Sequence, residues 1–102
     1  MNAKKELLTA INGKEIKCAI IKHLVEYGKK PKTIRLNVGY TMTDYNRFLD
    51  ELDFEYDNGY GRQELFGTVW FEDGTWADRG EYDGSEWWKH YKLPDVPEEL
   101  LK

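Results

Sequence analysis

The 102-residue chain has one cysteine, two histidines and no long apolar run, and each scarcity removes a class of protein. With Cys18 alone no internal disulfide forms, and neither a cysteine zinc site nor a disulfide framework fits. A reducing compartment is the simpler expectation. The longest apolar run is about "CAII", far short of the ~20 residues that a membrane span requires. The opening "MNAKKELLTAING" has no apolar stretch of the kind found in signal peptides. A soluble, cytoplasmic protein with no membrane partner is therefore expected.

Catalytic motifs are equally scarce. His23 and His90 have no spacing that suggests zinc, and no histidine flanks Cys18 in sequence. Ser85 sits in the turn-like "DGSEW" rather than a nucleophile elbow. Neither "NVGYTMTD" nor "DNGYGRQ" has the spacing or the lysine of a phosphate loop. In "DFEYDNGYGRQE", Asp53, Glu55, Asp57 and Glu64 occupy calcium-loop positions, but Asn58 stands where glycine is needed and a strand-like run follows. The expectation is a protein that is not an enzyme, with no catalytic residue, no metal and no cofactor.

What the chain does have is aromatic mass and segregated charge. Aromatics make up 15% of the residues, and 14 of the 15 lie between Tyr40 and Tyr91. Large rings supply the core that a short single domain otherwise lacks. The net charge of −4 hides two poles. Residues 1–43 carry nine Lys and Arg against three Glu, whereas residues 44–86 carry thirteen Asp and Glu against three Arg. Such asymmetry points to an interaction role.

Periodicity divides the chain into seven elements. "AKKELLTAI" predicts an amphipathic helix stopped by Asn12-Gly13. "KEIKCAIIKHLVEY" and "TIRLNVGY" read as a strand pair joined at "GKKPK". "TMTDYNRFLDELDF" changes to helical spacing, with Thr41 or Thr43 as cap. "ELFGTVWF", "TWADRGEY" and "EWWKHYKL" follow as three strands, with Asp-Gly pairs that predict type I′ hairpin turns. "PDVPEELLK" is a tail with one helical turn after Pro97. The order αββαβββ, without a βαβ rhythm, predicts one α+β domain over residues 1–102 on a mainly antiparallel sheet of about five strands.

In "ELFGTVWF" both alternating sets are partly apolar, so helices cover one face while the other stays half exposed. Trp87 and Trp88 must point to opposite faces, which makes one of them an edge packer or an exposed anchor. The acids, Glu86 among them, are expected at turns and on exposed faces. Their number exceeds what solubility alone requires, and a field of one sign attracts a basic groove and repels nucleic acid. The candidate partner-binding acids are Asp50, Glu51, Asp53, Glu55 and Asp57, followed by Glu72, Asp73, Asp78, Glu81 and Asp83. Tyr60 and Trp88 are the candidate aromatic anchors. Two alternatives stay open: nucleic-acid binding by the basic first hairpin through Lys17, Lys22, Lys32 and Arg35, and self-association of opposite poles as a homodimer or structural assembly.

The segment "LFGTVWFEDGTWADRGEYDGSEWWKHYKLPDVPEEL", with "LDFEYDNGYG" before it, resembles small uncharacterised proteins of bacteriophages and prophages. The shared features are the aromatic hairpin "EYDGSEWW" and the proline-spaced "PDVPEEL". The resemblance implies a phage origin and a bacterial host's cytoplasm, and it carries no catalytic residues. Among small acidic phage proteins are inhibitors of host defence, of the anti-CRISPR and anti-restriction kinds. The expectation is thus a protein-binding module whose acidic face occludes a basic, nucleic-acid-binding surface on a host or phage protein.

Overall fold

The structure, a computed structural model, describes residues 1–26, 28–59 and 61–101. Helix α1 (Ala3–Ile11) begins where Asn2 Oδ1 accepts the Lys5 N–H, and it ends at Asn12 in the left-handed conformation. Helix α2 (Met42–Glu51) starts with a capping box: Thr41 Oγ1 accepts the Asp44 N–H while Asp44 accepts the Thr41 N–H. Those two hydrogen bonds hold the Asp44 carboxyl below its ordinary pKa, the backbone donor contributing most.

The five strands are β1 (Ile16–His23), β2 (Lys32–Leu36), β3 (Leu65–Phe71), β4 (Trp76–Tyr82) and β5 (Ser85–Tyr91). They form one antiparallel sheet in the order β2-β1-β3-β4-β5. This is the α+β fold that the sequence pattern predicts, with the same element order. Strand parity explains the layering. Ala19, Ile21, Ile34, Leu36, Val69, Phe71, Ala77 and Trp88 share one face and are buried with Leu7, Ile11, Phe48 and Leu52 of the two helices. Neither α1 nor α2 packs on the other face.

Two local expectations are corrected. The Asp73-Gly74 turn is not type I′, since only Gly74 has positive φ there. Gly74 N–H donates to Phe71 O and Phe71 N–H to Thr75 O, the bulged three-residue form, and Asp73 Oδ1 accepts the Thr75 N–H. Asp83 (φ 51°) and Gly84 (φ 86°) do form the expected type I′ turn. The second strand stops at Leu36 because the chain turns at Gly39 (φ 80°), leaving Val38 exposed.

One glycine is obligatory. Gly67 in β3 has φ 139°, and a Cβ there would lie 2.2 Å from the Ile20 carbonyl oxygen. The close approach of β1 and β3 at the sheet's centre therefore needs a residue without a side chain.

Candidate functional site

The open face of the sheet is built by the residues that alternate with the core set. Row by row across β1, β3, β4 and β5 the register aligns Cys18, Trp70, Trp76 and Tyr91, then Ile20, Thr68, Asp78 and Lys89. Phe66 and Trp87 lie beyond them. Phe66, Trp70 and Trp87 are 38%, 40% and 42% exposed, although a large ring left in water forgoes about 1.5–3 kcal/mol of burial. Trp76 and Tyr91 stack with ring centroids 5.8 Å apart and planes 8° from parallel, and Lys89 Nζ sits 5.3 Å from the Tyr91 centroid. The Trp87 indole lies against Gly80, where a Cβ would fall 2.8 Å from Cε2. The missing side chain makes room for the ring.

Charge on this face is mixed. By strand parity Lys22, Arg35 and Lys89 project to it, with Asp78 between Thr68 and Lys89. Glu72 and Asp73 stand in the β3–β4 turn at one end, and Asp83 in the β4–β5 turn at the other. Asp73 is tied to Lys14 at 3.3 Å, and its carboxyl is held below the usual range chiefly by the Thr75 hydroxyl.

On the covered face lies a buried ionic network that the sequence pattern does not reveal. Arg79 Nη2 donates to Glu86 Oε1 (2.8 Å) and to the Tyr56 hydroxyl (2.9 Å), while Nη1 donates to Glu6 Oε1 (3.0 Å). The Tyr56 hydroxyl donates to Glu6. Glu86 further accepts the N–H groups of Glu64 (2.8 Å) and Leu65 (3.0 Å), which locks the start of β3 to β5. The Arg79 guanidinium packs 5.0 Å from the Trp88 ring centroid and 5.7 Å from that of Tyr56.

Burial, reinforced by the Glu6 acceptor, raises the Tyr56 pKa. Burial alone would lower that of Arg79, but Glu6, Tyr56 and Glu86 outweigh it and raise it. The side chains of Arg79 and Glu86 are 1% and 0% exposed, so these charges are sealed and act as struts. Glu86 is thus corrected from surface acid to core ligand of an arginine. Its partner belongs to the same parity set as Ala77, the one sign in "WADRGEY" that an arginine points inward.

The sequence-predicted site residues fall into three places. Asp50 and Glu51 end α2, and Asp53, Glu55 and Asp57 follow it, exposed, alternating with the inward Phe54 and Tyr56. Glu81 has the covered-face parity and accepts the Gly84 N–H. Glu72 and Asp73 lie at the opposite end of β4 from Asp83, about 20 Å away at ~3.3 Å per strand residue. Asp78 alone projects from the open face. The acids therefore do not form one surface. Trp88 is also corrected, since the Arg79 stack buries it to 9% and Trp87 takes the exposed position. Tyr60 lies outside the described residues.

Neither histidine joins a cluster. His23 in β1 stacks on Phe54 at 4.0 Å, and His90 in β5 on Phe71 at 6.2 Å. Among the described residues no group of three His, Cys, Asp or Glu is placed to hold a metal, and no helix is long and apolar enough to cross a membrane. Comparison with protein-family models, with curated proteins and with solved structures gives no match.

Proposed function

We propose that the chain is a non-catalytic protein-binding module that docks through the open face of its sheet. The observation that carries this reading is the set of half-exposed rings Phe66, Trp70 and Trp87 around the Trp76–Tyr91 stack, on a face that neither helix covers. Trp and Tyr are the side chains that most often dominate a protein interface, and contiguous exposed apolar area of this kind marks a contact surface. Asp78 on the face and Glu72, Asp73 and Asp83 at its ends would meet basic groups at the rim. The partner is accordingly a protein with a basic surface, of the kind that holds nucleic acid. The resemblance of the acidic aromatic segment to bacteriophage proteins supplies the finer form: an inhibitor of a host defence enzyme that occupies its basic channel.

A second reading has its own support. Lys22, Arg35 and Lys89 share the face with the stacked rings, and rings flanked by cations suit stacking of single-stranded nucleic acid.

The test uses tagged protein on a bacterial lysate at low and high salt, beside a Trp70→Ser/Trp76→Ser variant. The proposal expects salt-sensitive retention of a nucleic-acid-handling protein by the native chain. Loss of about 2 kcal/mol or more would cut retention by the variant at least about 30-fold. Equal retention by both would contradict it. Titration of a labelled single-stranded oligonucleotide that quenches the tryptophans would favour the second reading instead.

A further inference from the structure

The two edges of the sheet are finished differently. The β2 edge is five residues long and is flanked by Lys29, Lys30, Pro31 and Lys32, the features that discourage another strand from adding. The β5 edge is seven residues long and has no proline, and its one lysine, Lys89, turns to the open face. Its Glu86 N–H already pairs with Asn58 O (2.8 Å), so the backbone groups of Glu86, Trp88 and His90 point away from β4. Among the described residues nothing on the main chain meets those of Trp88 and His90. Beside this free stretch, between β5 and α1, runs a cleft of about 350 Å³ lined by Lys5, Thr9, Ala10, Trp87, Trp88 and His90. Met1 and Glu6 also border it, but the Met1 ammonium is paired with Glu55 and the Glu6 carboxylate with Arg79 and Tyr56, which leaves Lys5 as the cleft's available charge.

The chain carries a segment of matching chemistry. Residues 92–101 hold Leu93, Val96, Leu100 and Leu101, exposed by 57–73%, among the acids Asp95, Glu98 and Glu99. None of them joins the core. The radius of gyration is 15.4 Å, against about 13 Å for a compact chain of this length, in keeping with a segment held off the body. Folding back onto its own β5 would need a tight reversal directly after Tyr91. Leu93 and Val96 both precede proline, which biases them to extended backbone, and Pro97 is itself extended (φ −57°, ψ 140°). The segment is carried away from its own cleft.

We infer that the occupant of the β5–α1 cleft is residues 92–101 of a second copy of this chain, exchanged reciprocally to form a homodimer. The apolar side chains of the arm fill the cleft, the acids face Lys5, and the extended stretch that precedes the 3₁₀ turn at Glu98–Leu100 pairs with the free groups of Trp88 and His90. Reciprocal exchange makes the contact two-fold and closed. This surface shares only Trp87 with the open sheet face, and none of the residues tested below belongs to that face, so the inference does not rest on the proposed function.

Sedimentation of the full chain tests it. The native protein is expected to be a dimer. Leu93→Asp/Val96→Asp on the arm, and Lys5→Glu or His90→Pro on the cleft, should each raise the concentration of half-dissociation at least about tenfold, a loss of about 1.4 kcal/mol. Circular dichroism confirms that each variant is folded. Mixing the arm variant with a cleft variant restores one intact docking site and should recover part of the dimer. A monomeric native chain, a dimer indifferent to the arm variant, or a mixture that fails to associate would each overturn the exchange. A native monomer whose His90 amide shifts on arm substitution would identify docking within one chain.

Discussion

The two faces of one sheet are made from the same strands and have opposite constructions. The covered face is aliphatic at its centre and closes at the β4–β5 end with a sealed arginine between two glutamates, whose hydrogen bonds tie β4 to α1, to β5 and to the segment after α2. The open face is aromatic, its rings stack on each other, and its charges reach solvent. One residue step along β5 separates them: Trp88 sits against Arg79, and Trp87 lies over Gly80. A fold needs the first arrangement. The second leaves three large rings about 40% exposed, a composition enriched at protein contacts.

The comparison is broken most severely from the covered side. Arg79→Ala would leave Glu6 and Glu86 buried without their cation, and a loss of about 3–5 kcal/mol is expected in urea unfolding. Arg79→Met with Glu86→Leu should recover part of it, since removing both charges avoids the unpaired one. Gly67→Ala forces β1 and β3 apart at the Ile20 carbonyl and should cost about 3 kcal/mol, with the melting temperature as readout.

Acid loosens the same face. Burial under Phe54 lowers the His23 pKa, with Glu64 offsetting part of the shift, so the unfolded chain takes the proton first as pH falls. The His23 contribution is fully present above about 6.5, the unfolded value, and is lost as pH drops through the lower folded value. Melting temperature should therefore fall between pH 7 and pH 5, and His23→Leu should flatten that part of the profile. The smallest effect on stability belongs to the open face. Phe66→Ser is expected to cost about 1–2 kcal/mol of unfolding free energy, because part of the ring is already in water.

Much of the covered face is legible in the sequence, because its signals are local. Helical spacing in "TMTDYNRFLDELDF", the cap at Thr41 and the Asp83-Gly84 pair each specify their element within a few residues. The two-faced character of β3 is legible too, from the paired sets Leu65, Val69, Phe71 and Phe66, Thr68, Trp70. What sequence does not supply is cross-strand register. Only the pairing of Arg79 with Trp88 decides which of two adjacent tryptophans is buried, and only the diagonal neighbour of that pair turns Glu86 from a surface acid into a core one. The acids mislead for a related reason. Their count along the chain is one-sided, but β4 carries them to opposite ends of the sheet.

The central claim is that the open face works in contact and not in folding. The most direct measurement compares the native chain with Phe66→Ser/Trp70→Ser for both unfolding free energy and partner retention from lysate. The account predicts a stability loss of about 2–3 kcal/mol, smaller than that of Arg79→Ala, and retention reduced at least about 30-fold. A variant that unfolds but, when folded, holds its partner as tightly as the native chain would contradict it.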